Sequence, residues 1–195
     1  MSIITFNSPR PVLADRISRT AVANVLLVIA AAVFVGLLAQ ISIPLGFTPV
    51  PLTGQTFGIM LAGAALGWRR AAMAMSLYVL AGLAGLPWFA GGASGYVGAN
   101  FGYLIGFVLS AGALGWLASR GNDRTIAGSL LSMAFADVVI FVCGVCWLAH
   151  DLHVSLGTAL HYGFYPFVWG EIIKAGVAGF ALPATWRLVD RTTKH

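Results

Sequence analysis

The chain has 195 residues, of which 59% are hydrophobic and only 9% are charged, and its mean hydropathy is +0.89. A soluble domain carries about 25% charged residues, so the composition excludes a soluble globular domain and predicts an all-α integral membrane protein. The net charge of +5 is explained by orientation in a membrane, and we expect no nucleic-acid partner. We take residues 1–195 as a single transmembrane domain.

Long uncharged stretches divide the chain into helices. No Asp, Glu, Lys or Arg occurs at 20–68 or at 71–119, and each stretch is too long for one membrane span of about 20 residues. Pro and Gly interrupt both stretches near the middle, so each is predicted to form two helices joined by an uncharged loop. A third hairpin breaks around 150–153. The six predicted spans, in three hairpins, are approximately 21–43, 53–68, 71–86, 98–117, 125–148 and 165–188.

The basic residues predict the orientation of these spans. Ten of the eleven Lys and Arg residues fall on one side of a six-span protein, and the positive-inside rule assigns that side to the cytoplasm. Both termini are therefore expected in the cytoplasm, with the chain crossing the lipid bilayer of the cell (plasma) membrane several times. The ten residues are Arg10, Arg16, Arg19, Arg69, Arg70, Arg120, Arg124, Arg187, Arg191 and Lys194.

The eleventh basic residue, Lys174, lies within the sixth predicted span, three residues after Glu171. Residues at i and i+3 share a face of a helix, so both charges point in the same direction. An ionisable group at bilayer depth costs at least about 2.5–3.5 kcal/mol, so such groups face a partner or a cavity. The two readings are an ion pair that locks helix packing and a ligand site built from both charges.

The first two predicted external loops lack charge and are rich in Gly, Pro and aromatic residues, including Trp88 and Phe89. They fit either an interfacial aromatic belt or lids that fold over a pocket. Thr53, Gln55 and Asn100 fall at the same depth as the charged pair, and together these groups suit a small polar ligand. Taken singly, Thr53 also fits a helix cap and Gln55 a hydrogen-bonded interfacial amide.

Other residues carry weaker signals. Asp137, within the fifth span, fits a proton relay or a protonated carboxyl that is hydrogen-bonded between helices. Ala32 and Gly36 form a small-xxx-small pair, which lets another helix approach or packs within the protein. The loop with His150, Asp151, His153 and His161 fits a divalent metal site less well than ordinary polar loop residues. We expect no bound metal, cofactor or catalytic residue.

Several ordered motifs resemble the BioY family, the biotin-binding substrate (S) components of energy-coupling factor (ECF) transporters. The resemblance covers roughly 30–178. The motifs are Val-Pro-Leu-Thr-Gly-Gln-Thr at 50–56, Leu-Ala-Gly-Ala-Ala-Leu-Gly at 61–67, Gly-Leu-Ala-Gly-Leu-Pro-Trp-Phe-Ala-Gly-Gly at 82–92, Gly-Tyr-Leu-Ile-Gly-Phe at 102–107 and Glu-Ile-Ile-Lys at 171–174.

The resemblance implies an S-component fold of six helices and high-affinity biotin uptake, with no enzymatic activity. It implies that the first helix, at Ala32 and Gly36, packs against a transmembrane coupling (T) protein that is joined to two cytoplasmic ABC-type ATPases. Two alternatives stay open: an S component for another vitamin, and a small intramembrane metal-dependent enzyme. The implied biotin-binding residues are Glu171, Lys174, Asn100, Tyr103, Thr53, Gln55, Trp88 and Phe89.

Overall fold

The computed structural model describes residues 10–16 and 20–192, so the predicted cytoplasmic charges Arg19 and Lys194 lie outside the described residues. The described part of the chain is mostly helical, with seven α-helices and one two-stranded ribbon. The elements are α1 (Ala21–Ala39), β1 (Ser42–Ile43), β2 (Leu52–Thr53), α2 (Gln55–Leu66), α3 (Trp68–Leu83), α4 (Phe101–Ala118), α5 (Ile126–Asp151), α6 (Leu156–Gly163) and α7 (Val168–Thr192).

Four helical segments of the described residues are long and apolar enough to cross a membrane, namely Ala21–Ala39, Gly98–Ala118, Ile126–Asp151 and Leu156–Arg191. The last of these combines α6, a 3₁₀ turn and α7. Helix α2 is apolar but has only 12 residues, which span about 18 Å of a hydrocarbon core of about 30 Å. These helices make the chain a multi-pass membrane protein.

The first helix is shorter than predicted. It ends at Ala39, and the chain then becomes extended, so that Ser42 pairs with Thr53 and Ile43 with Leu52 in an antiparallel ribbon. Proline at 44, 49 and 51 explains the difference, because proline cannot continue a helix beyond its first turn. The ribbon holds the connection that we call the first loop (residues 40–54) over one end of the bundle.

The break between α2 and α3 also differs from the prediction. We expected Arg69 and Arg70 to join the two helices, but both lie in the first turn of α3. The chain turns instead at Gly67, whose φ of +77° is a left-handed conformation that glycine adopts without strain. Arg70 forms an ion pair with Asp15, which ties the segment before α1 to this turn.

The third hairpin contains an unpredicted helix. Helix α5 continues to Asp151, beyond the expected break, and α6 occupies part of the expected external loop. Ser155 begins α6 by accepting a hydrogen bond from the Thr158 backbone N–H, at 3.2 Å, as a typical N-cap. With eight residues, α6 is about 12 Å long and is too short to cross a bilayer.

Helix α4 is at the centre of the bundle and packs against α2, α3 and α5. Gly106 allows α5 to come close, since a Cβ at this position would lie only 2.8 Å from the Cα of Ile140. Helix α7 packs on α2 and α5. This packing places Glu171, in the first turn of α7, opposite Thr56, in the first turn of α2.

Candidate functional site

A cavity of about 610 Å³ lies at the end of the bundle that the loops cover, within the range of small-molecule sites. Its roof comes from the first loop and from the connection between α3 and α4, which we call the second loop (residues 84–100). Its walls and floor come from α2, α4, α5 and α7, and they are mainly apolar. The larger apolar side chains are Phe89, Leu104, Phe107, Ile140, Phe141 and Phe167.

The charged pair lies at the floor of this cavity as a closed hydrogen-bond network. Lys174 Nζ donates to Glu171 Oε1 at 2.8 Å, to Thr56 Oγ1 at 2.9 Å and to the Thr53 carbonyl at 2.6 Å. An ammonium has three donors, so all of them are used within the protein. Thr56 in turn donates to Glu171 Oε1 at 3.0 Å. Glu171 lines the cavity, whereas Lys174 lies behind it and does not.

Two buried oxygen atoms at the cavity have no hydrogen-bond partner, Glu171 Oε2 and Asn100 Oδ1. Both residues line the cavity. The orientation of the Asn100 amide is fixed, because its Nδ2 donates to the Pro49 carbonyl at 3.1 Å. Buried acceptors are almost always satisfied, so this pair indicates a ligand that brings N–H or O–H donors.

The predicted site residues Thr53 and Gln55 also line the cavity, but their side chains bond to the protein. Thr53 Oγ1 donates to Gln55 Oε1 at 3.0 Å, and Gln55 Nε2 donates to the Tyr78 hydroxyl at 2.7 Å. Tyr78 then donates to the Trp88 carbonyl at 3.1 Å. This chain of hydrogen bonds connects the cavity floor with the second loop.

Of the three aromatic residues predicted to bind the ligand, two line the cavity and one does not. Tyr103 and Phe89 line the cavity, and the Tyr103 hydroxyl donates to the Gly163 carbonyl at 2.8 Å. Trp88 does not line the cavity. Its indole N–H donates to the Tyr78 carbonyl at 2.9 Å, and its ring packs on Gly36 of α1.

Ala32 and Gly36, the predicted partner-helix contact, both lie inside the bundle. Ala32 is fully buried, and a Cβ at Gly36 would lie 3.1 Å from the Trp88 ring. The pair therefore packs within the chain, which was the other reading of this motif. The side chains that α1 exposes are larger and lie on its other faces: Val22, Val25, Leu26, Ile29, Val33, Phe34 and Leu37.

Hydrogen bonds to α5 and α6 attach the outer parts of the two roof loops. In the first loop, Thr48 Oγ1 donates to the Tyr162 carbonyl at 2.7 Å. In the second loop, Tyr96 donates to Asp151 Oδ1 at 3.3 Å. Desolvation and the Asp151 carboxylate raise the pKa of the Tyr96 hydroxyl, which therefore stays protonated and donates at neutral pH. Trp147 also donates to the Gly98 carbonyl, at 3.1 Å.

Residues whose hydrogen bonds help to build the site, but which were not among the predicted binding residues, include Thr56, Tyr78, Thr48 and Tyr96. Thr56 is the last residue of the motif at 50–56, so that motif could have identified it as a site residue. Tyr78 is fully buried in the middle of α3, where no local pattern distinguishes it from a packing residue. The loop residues depend on contacts with α6 and with the end of α5, which the sequence pattern did not locate.

The remaining candidates lie apart from the cavity lining. Asp137 Oδ1 is buried without a partner, and this carboxyl is within electrostatic range of Glu171 and Lys174. Within residues 10–16 and 20–192, no three His, Cys, Asp or Glu side chains are arranged to hold a metal ion.

Comparison with known proteins gives a consistent result. The sequence profile described as the BioY family matches residues 11–191. The biotin transporter BioY of Thermotoga maritima is 42% identical over 143 residues, which cover 72% of this chain and 82% of that protein. The biotin transporter BioY of Rhizobium etli is 36% identical over 156 residues, which cover 75% and 82%.

The fold has a solved counterpart. A crystal structure of the S-component for biotin from an ECF-type ABC transporter superposes with a TM-score of 0.78 at 25% identity, covering 87% of this chain and 95% of that one. The resemblance predicted from the ordered motifs is confirmed: the chain belongs to the BioY family.

Proposed function

We propose that this protein is the biotin-binding S component of an ECF-type vitamin transporter, which captures biotin from the external side and releases it to the cytoplasm. One observation carries the proposal: two buried acceptors without partners, Glu171 Oε2 and Asn100 Oδ1, line a mainly apolar cavity. The names of the Thermotoga and Rhizobium relatives and of the crystal structure support biotin as the ligand.

The chemistry of biotin fits these two acceptors. Its ureido ring has two N–H donors, and we assign one to Glu171 and the other to Asn100. A hydrogen bond to a charged group contributes about 1.5–3 kcal/mol and a neutral one about 0.5–1.5 kcal/mol. The apolar thioether ring and chain pack against the aromatic lining, which includes Phe89 and Phe107.

Lys174 has a supporting role in this proposal. Its three N–H donors are used by Glu171, Thr56 and the Thr53 carbonyl, so we assign it to holding the carboxylate rather than to contacting biotin. Thr53, Gln55 and Tyr103 likewise have their polar groups engaged within the protein. They shape the cavity, and their binding contribution is packing.

The proposed topology has six spans in three hairpins, with both termini in the cytoplasm of the plasma membrane and 1–195 as one transmembrane domain. Contacts at the end of the bundle opposite the cavity support it. Arg10 donates its backbone N–H to the Ser119 carbonyl, at 2.7 Å, and Arg16 lies 4.0 Å from Asp190. The basic residues before α1 thus meet those of the α4–α5 turn and of the α7 end. In this topology, α6 is an external helix.

The family consists of transport components, so a role as an enzyme is set aside. Energy for release would come from a T protein and two cytoplasmic ATPases, as the S-component relationship implies. Since Ala32 and Gly36 are buried inside the chain, we place the T-protein contact on the exposed face of α1, with Leu26, Ile29 and Val33.

The ligand is tested by purifying the protein in detergent from cells grown with a mixture of vitamins and identifying the bound molecule by mass spectrometry. We expect biotin at one molecule per chain, and none with a Glu171→Gln, Asn100→Ala double variant. Recovery of a different vitamin, or of biotin bound equally to the double variant, would contradict the proposal.

A further inference from the structure

A second, much smaller cavity lies at the opposite end of the bundle, where α2, α4, α5 and α7 converge under the α4–α5 turn. Its volume is about 10 Å³, close to the space that a single water molecule needs. Three of the side chains around it are polar, and all three are buried: Asp123 at 3% exposure, Ser129 at 1% and Ser132 at 7%.

Two of these side chains point polar atoms without partners into the protein interior. Asp123 Oδ1 and Ser129 Oγ are buried and have no hydrogen bond. The other oxygen of Asp123 accepts from the Trp186 indole N–H, and Ser132 Oγ donates to the Gly128 carbonyl at 2.8 Å. A buried acceptor and a buried hydroxyl left open beside one small cavity indicate an occupant that pairs with both.

The charges around the cavity indicate that this occupant is neutral. The guanidinium of Arg124 lies next to Asp123 and stacks on the Trp186 ring, with 4.0 Å from Cζ to the ring centroid. A cation in the cavity would lie close to this positive charge and would be repelled by it in a low-dielectric interior. A water molecule instead offers donors to Asp123 and pairs with the Ser129 hydroxyl in either direction.

We propose that this cavity is a binding site for one structural water molecule, which donates to Asp123 Oδ1 and exchanges a hydrogen bond with Ser129 Oγ. Through the Asp123–Trp186 bond, the water connects the α4–α5 turn and the start of α5 with α7. Helix α7 also carries Glu171, in its first turn. The hydrated site therefore fixes the far end of the helix on which the ligand carboxylate stands, and it does so whether or not biotin is the ligand.

The test combines a density map at about 2 Å or better with thermal unfolding of the full chain in detergent. We expect one density peak within about 2.6–3.2 Å of both atoms. Ser129→Ala is expected to lower Tm by about 2–4 °C because it leaves the buried water and carboxylate less satisfied. Ser132→Ala is the matched control, since its hydroxyl bonds only within its own helix, and it is expected to have the smaller effect.

Replacing Na⁺ by K⁺ or choline separates water from a bound cation. We expect the Tm of the wild-type chain to be the same in all three salts. A Tm that depends on Na⁺ and loses this dependence in Asp123→Asn would overturn the proposal in favour of a cation site. An empty cavity in the map, or equal Tm values for Ser129→Ala and Ser132→Ala, would overturn it as well. Because these measurements need no biotin, their results do not depend on whether the proposed function is correct.

Discussion

The floor and the roof of the large cavity are built in opposite ways. At the floor, Glu171, Lys174 and Thr56 form a closed network from α2 and α7, and Glu171 is only 6% exposed. At the roof, Trp88 ties the start of the second loop to Tyr78 by two hydrogen bonds, but the outer part is held by single bonds, such as that of Tyr96 to Asp151, which is exposed to solvent. The floor is therefore a fixed binding surface, while the outer part of the roof is an attachment that opens at low cost.

The physical reason for this difference is burial. A charged network in a low-dielectric interior is strong when it is complete and costly when one member is removed. An exposed hydrogen bond or ion pair competes with water and contributes little. We therefore expect floor variants to change stability and affinity, and roof variants that remove only a loop attachment to change the rate at which ligand exchanges.

The largest effect is expected for Lys174→Met. It leaves the buried Glu171 carboxylate without its positive partner, a loss that costs about 3–5 kcal/mol in buried ion pairs. Unfolding in detergent should show a clear drop in Tm, and the Glu171→Gln, Lys174→Met double variant should recover part of it. If Lys174→Met abolished biotin binding at an unchanged Tm, Lys174 would be a ligand contact rather than a support.

Glu171→Gln is expected to reduce biotin affinity by about 10- to 100-fold, because it replaces a charged acceptor of a ligand N–H by a neutral one. Equilibrium binding by calorimetry measures the effect. Asp190→Asn is the matched control on the same helix, since Asp190 is exposed at the opposite end and its removal should leave affinity unchanged. Equal losses in both variants would show that the effect does not come from the cavity.

Asn100→Ala is expected to reduce affinity by about 3- to 10-fold, since it removes one neutral acceptor. It also removes the bond from Asn100 to the Pro49 carbonyl. Thr48→Ala serves as the comparison, because it loosens the same loop without touching a ligand acceptor. An affinity loss as large for Thr48→Ala as for Asn100→Ala would assign the effect to the loop and not to the ligand contact.

The smallest effect is expected at the roof. Asp151→Ala or Tyr96→Phe removes one exposed hydrogen bond and should speed biotin release by about 2- to 5-fold, with Tm unchanged. Stopped-flow displacement of bound biotin measures the rate. A large loss of Tm in either variant would mean that the roof is as rigid as the floor, and the contrast between them would fail.

Much of the fold follows from the distribution of charge along the chain. The two uncharged stretches and their Pro and Gly interruptions located α1, α2, α3 and α4 to within a few residues, and the expected break of the third hairpin did the same for α5 and α7. Helix α6 was missed because its eight residues contain two Gly, one His and one Thr and carry no long apolar period. Its stability comes from packing on α5, which is not a local property of the sequence.

The site was predicted as a set of residue types but not as a network. Glu171 and Asn100 were identified from the cost of burying polar groups and from the resemblance, and both line the cavity. The use of all three Lys174 N–H donors within the protein was not predictable, because one of their acceptors is a backbone carbonyl 121 residues away in the sequence. The position of Trp88 was not predictable for a similar reason, since it depends on the absence of a side chain at Gly36.

The central claim is that Glu171 Oε2 and Asn100 Oδ1 bind the two ureido N–H groups of one biotin. A calorimetric double-mutant cycle with Glu171→Gln, Asn100→Ala and the double variant tests it most directly, using the purified full-length chain. The account predicts one tight site in the wild type, a weaker site in each single variant and the weakest site in the double variant, about 30- to 1,000-fold below the wild type. Tight binding of biotin by the double variant would contradict the account.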